Sequence, residues 1–170
     1  MKKILVLMVA ALMALGLVLP VSAETATKDL IADGRGTPQV VGNLTVASNG
    51  VNLVITYLVP AVTDGWGMTE THLYVGTGAP SQSAPGKFPY KKEALADPTT
   101  DTYTIAYSEI GAVAGATIFI AAHAALQKPG VDELDLPILL SETAWAAGDT
   151  LIGKGKNWAT YFTYVLQPVP

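Results

Sequence analysis

The sequence predicts an all-β fold, a single-domain antiparallel β-sandwich of about seven strands. Three observations predict it. Asn49-Gly50 sits between two apolar runs as a hairpin turn signal. Short strand-like segments then recur along the chain with turn residues between them. No repeat of 20–50 residues and no linker divides the chain.

The hairpin lies in "GNLTVASNGVNLVITYLV". A two-residue Asn-Gly turn favours positive φ at both central positions and so fixes a register. That register sets Ser48 opposite Val51, Val46 opposite Leu53 and Leu44 opposite Ile55. Large apolar residues then share one face, while Ala47, Asn52, Asn43 and Thr56 share the other. Residues 66–76 read as a strand after Asp64-Gly65. Residues 77–99, with Pro80, Pro85, Pro89 and Pro98, read as a long loop. Tyr103, Ile105 and Tyr107 alternate in a strand over 102–107, and "SEIGAVAG" reads as a turn or one helical turn. Residues 116–126 are apolar on both faces, as in a central strand covered on both sides; their alanine content also allows a buried helix, and the β-like neighbours favour the strand. "KPGVDELDLP" reads as an acidic loop, and residues 138–145 and 157–166 as the last strands.

Residues 1–23 have the pattern of a secretory signal peptide. A positive "MKK" precedes an apolar run, and "PVSA" supplies small residues for cleavage after Ala23. The expected exported domain is residues 24–170. Without Lys2 and Lys3, eight basic residues face fourteen acidic ones, a net charge of −6. An acidic surface argues against nucleic acid and, once the signal is removed, against anionic membranes as partners. With no cysteine, the fold relies on packing and hydrogen bonds rather than disulfides.

The blocks "LIADG", "VGNLTVASNGVNLVITY", "DGWGMTETHLYVG", "GKFPY", "IFIAAHAAL", "SETAWAAG" and "GKNWATYFTYVL" occur in that order. From about Leu30 to Leu166 the chain resembles a group of secreted prokaryotic proteins sharing a TETHLHV … AAHA … ETAW … KNWATYF pattern. The resemblance implies an exported surface or extracellular module. Where that pattern has histidine two positions after His72, this chain has Tyr74.

Polar residues inside apolar strands are the first candidates for a site. Alternation puts Glu70, His72 and Tyr74 on one face of their strand. His123 interrupts the central strand, Glu142 opens "ETAW" and Asn157 opens the last strand. Buried polar groups require partners, so Glu70, His72, His123, Glu142 and Asn157 are expected to form a structural hydrogen-bond network. The rival reading is a divalent-metal site, since two imidazoles and two carboxylates suit zinc or a similar ion. A calcium site on Asp132, Glu133 and Asp135 is the weaker variant, because "DELD" lacks the spacing of a calcium loop.

The chain shows no nucleophile elbow and no phosphate-binding glycine loop, so it is read as a non-enzyme. Trp66, Phe88, Tyr90 and Trp145 lie at strand ends or in the long loop, where flat rings can serve a glycan or a protein ligand. Lys87, Lys91 and Lys92 read as a solvated basic spot. The function expected is an exported structural or binding module that presents loops 77–99 and 127–137. Its alternatives are a carbohydrate-binding module using those four aromatics and a metal-binding protein.

Overall fold

The computed structural model describes residues 25–32, 36–60, 65–153 and 158–168. The signal-like segment 1–23, Asp64 and Asn157 lie outside them. The described residues form an all-β, mostly antiparallel structure with ten strands and no α-helix. The strands are β1 (Ala26–Ala32), β2 (Gln39–Ser48), β3 (Asn52–Leu58), β4 (Gly67–Gly76), β5 (Tyr90–Lys92), β6 (Thr100–Ala106), β7 (Thr117–Val131), β8 (Pro137–Ala146), β9 (Thr150–Leu151) and β10 (Thr160–Val165). Their order is β5-β4-β7-β8-β1-β2-β3-β6, with β10 on β7 and β9 on β10.

This is one curled sheet, a half-barrel, rather than the expected sandwich. The reason lies in β7. Its fifteen residues are shared by three neighbours: β4 along one edge, and β10 then β8 along the other. A strand bonded on both edges makes the sheet continuous, so the apolar face is buried by curling. Ile118, Ile120, Ala122, Ala124 and Leu126 point into the curl and meet Leu44, Ile55 and Tyr57 from β2 and β3.

The Asn49-Gly50 hairpin forms with a different register. Ser48 pairs with Leu53, Val46 with Ile55 and Leu44 with Tyr57. Only Gly50 takes positive φ, and the Asn49 side chain accepts from the Val51 and Asn52 amides, which opens a longer loop. The slip is two residues, so every side chain keeps its expected face. Residues 107–110 form a 3-10 turn, and Pro85–Lys87 in the long loop forms another. The long loop contains β5, and the acidic loop shrinks to the turn between Val131 and Pro137, since β7 and β8 pair all the way to that point.

Polar side chains lock the curl shut inside. Asp101 of β6 accepts from Thr71 Oγ1 of β4 at 2.7 Å and from the Lys92 ammonium of β5. Tyr103 donates to the Thr71 carbonyl, and Tyr57 to the His72 carbonyl. The segment after β5 completes the closure, with the Leu95 amide on the Thr69 carbonyl and the Met68 amide on Pro98. Asp101→Ala is expected to leave Thr71 and Lys92 without this acceptor and to cost about 1–3 kcal/mol, read as a fall in the urea midpoint. An unchanged midpoint would show that the carboxylate does not hold the edges together.

Gly42 marks a second constraint. The β1–β2 ladder slips there, with Leu30 opposite Gly42 and Ile31 opposite Val40. A Cβ on Gly42 would overlap the Leu58 carbonyl, whereas one on Gly78 would meet open space. Gly42→Ala is expected to lower stability by about 1–3 kcal/mol, since backbone must shift to relieve the overlap. Gly78→Ala should sit near zero, and equal losses in thermal melts would refute the distinction.

Candidate functional site

The outer face of the sheet carries the histidines. Strand pairing sets Lys91 opposite His72, His72 opposite His123, His123 opposite Trp145 and Trp145 opposite Ile31. Four strands thus place Lys91, His72, His123 and Trp145 in one row. A bulge at Thr69 sets the phase, because Met68 meets Leu126 while Glu70 already meets Ala125. From His72 onward, outward residues of β4 face outward residues of β7.

The two imidazoles touch, with Nδ1 to Nδ1 at 3.4 Å. That contact requires a proton on one Nδ1 and none on the other. His72 turns its Nε2 toward Glu70 Oε2 at 3.6 Å and Glu93 Oε1 at 3.8 Å. Lys91 pairs with the same Glu93 carboxylate at 3.3 Å. Both rings are buried, whereas the two carboxylates reach solvent. Trp145 meets the His123 ring edge-on at 5.0 Å, and Phe88 meets Trp145 at 6.0 Å. Phe88, Ala121, Trp145, Ile152 and Ala159 form a second apolar cluster that roofs this face.

Burial and the neighbouring His72 together push the His123 pKa from the ordinary 6.5 down to about 3. His123 therefore stays neutral across the physiological range. The row runs from a neutral, roofed imidazole to a second imidazole facing carboxylates at the solvent edge.

The structure brings together three of the residues picked from the sequence, Glu70, His72 and His123. Glu142 is not with them. It pairs with inward-phased Leu126 and alternates away from Trp145, on the opposite face of β8. Glu93 stands in its place. β5 is too short to show a period, so nothing in the sequence placed Glu93 beside His72. Among the described residues no three His, Asp or Glu side chains converge on a point where an ion would sit. Asp132 is committed to its own turn, accepting from the Leu134 and Leu136 amides.

The aromatics do not form an exposed platform. Trp66, Phe88 and Trp145 are buried and Tyr90 is half-buried against the core. Loops fold over the strand ends, so rings that lie beside turns in sequence serve as cover. Lys92 is tied to Asp101 and to the Thr102 carbonyl rather than free in solvent.

The exposed feature lies elsewhere. β7 and β8 run past their neighbours as a two-stranded arm, since β4 pairs with β7 only as far as Gln127 and β1 meets β8 only at Ala144–Ala146. Asp132 stiffens its tip through those two amide bonds. Val131, Leu134, Leu136, Ile138, Leu139 and Leu140 are exposed along it, Leu134 at 77% and Leu139 at 62%. The triplet "ILL" was the sequence signal for this patch.

The chain matches no protein-family model, no curated protein and no solved structure.

The buried imidazole makes stability depend on pH. Between pH 6.5 and 3 the unfolded His123 binds a proton that the folded one refuses. Stability is full above about pH 6.5 and falls with acidification by up to about 1.4 kcal/mol per pH unit. His123→Leu is expected to flatten that slope by about one proton between pH 6 and 4 in urea titrations. A slope identical to wild type would contradict the assignment.

Proposed function

We propose that this chain is an exported, non-catalytic binding module that engages another protein through the β7–β8 arm. The observation that carries this reading is the exposure of six large apolar side chains on one short, stiff ribbon. Soluble monomers rarely leave so much apolar surface uncovered on one projecting element. The half-barrel supplies the rigid base, and the arm supplies contact area at little ordering cost because its turn is already formed. The signal-like "MKK" and apolar run support export.

Glu70, His72 and His123 fit a structural role in this reading. They satisfy one another under the Phe88–Trp145 roof and hold β4 and β7 in phase. A glycan platform finds little support, since the rings that would form it are packed inside. The four-ligand metal set loses Glu142 to the other face.

A photo-crosslinking amino acid placed at Leu139, in cells producing the protein, tests the reading. A discrete protein adduct is expected from Leu139, and none from exposed Thr104 on β6. Absence of any adduct at both Leu139 and Leu134 would contradict it.

A further inference from the structure

We infer that the strand received by the arm is β8 of a second copy of this chain, added antiparallel along the open edge from Ile138 to Ser141. The inference rests on the arm being the docking element and names its partner.

The edges of this sheet are not equally open. β5 is three residues long and carries Lys91 and Lys92, the short charged form that resists strand addition. The β6 edge is occupied by Lys92 on the Thr102 carbonyl, and just before it the Pro98 carbonyl accepts from Met68 of β4. The arm edge of β7 carries Pro129, which has no N–H, and Lys128, whose ammonium lies 4.5 Å from the Trp66 ring centroid. β8 differs. Over Ile138-Leu139-Leu140-Ser141 it has neither charge nor proline, and among the described residues no strand pairs with its second edge before Ala144.

The occupant has to meet two demands. It must offer an extended backbone, because the open edge presents alternating N–H and C=O groups. It must also be apolar on both faces, since Ile138 and Leu140 project to one side and Leu139 to the other. β8 itself meets both demands. Gly130 permits this shape, as the Leu140 side chain lies where a Cβ on Gly130 would stand.

A two-fold axis between two β8 edges sets each copy's Ile138–Leu140 against the other's. Antiparallel pairing also sends Asp132, Glu133 and Asp135 of the two tips to opposite ends, so the acidic turns do not meet. Such an isologous contact uses the same edge on both copies. It therefore closes at a dimer instead of propagating.

The test mixes unlabelled and nitrogen-15-labelled purified protein, each with the photo-crosslinking residue at Leu139, and measures solution mass by sedimentation. Expected are mixed-isotope adducts joining position 139 to residues 137–141 of the other copy, and a mass that doubles with rising concentration. Leu139→Lys should abolish the doubling while leaving the melting temperature within about 2 °C, because the side chain is already exposed. A single-chain mass at every concentration up to several hundred micromolar would overturn the inference. So would homotypic adducts lying outside β8. An adduct to a different protein in producing cells, without a homotypic one, would overturn self-pairing yet leave the docking reading standing. No adduct of any kind would sink both.

Discussion

The structure depends on one strand being bonded along both edges and covered on both faces. β7 contributes Ile118, Ile120 and Leu126 to the inside of the curl, and Ala121 and His123 to the roofed outer face. Its alanines make the double cover feasible. Ala121, Ala122 and Ala124 are fully buried, and their small side chains let the roof and the inner wall approach closely. Larger residues there would force the layers apart. Continuity through β7 also explains why the fold is a single curled sheet, since the described strands follow one another across it without a break at which two sheets could part.

The site and the arm are both consequences of that strand. Where β7 lies between β4 and β8, its odd-numbered positions align His123 with His72 and Trp145. The imidazoles are buried because Phe88 and the segment around Ile152 and Ala159 cover the row. Where β7 outruns β4, the same pairing with β8 continues without cover, and apolar residues that would be core further back become surface. Its first part builds the molecule, and its last part projects from it.

Much of this was legible in the sequence, and the failures have physical reasons. The hairpin faces were readable because alternation survives an even slip. Its register was not, since the Asn49 side chain chose a longer turn. β7 was readable as a doubly covered strand from its apolar faces. β1 was missed because half-buried Lys28, whose ammonium lies 5.2 Å from the Phe162 ring centroid, breaks its apolar period. Glu70 and His72 were correctly assigned to one face by spacing alone. Their meeting with His123 needed the Thr69 bulge, and the exclusion of Glu142 needed the phase of β8. Neither phase is visible in a single strand. Trp145 misled because its neighbours on that face, Ser141 and Thr143, are polar and exposed, while the roof that buries it comes from distant loops.

Residue-resolved amide hydrogen exchange tests the central claim most directly, because it ranks the strands by the free energy needed to open them. With β7 as the constraint, the amides of residues 118–126 exchange slowest and only through global unfolding, outlasting those of the β2–β3 hairpin. If the hairpin amides instead outlast those of β7, the sheet does not depend on the doubly covered strand.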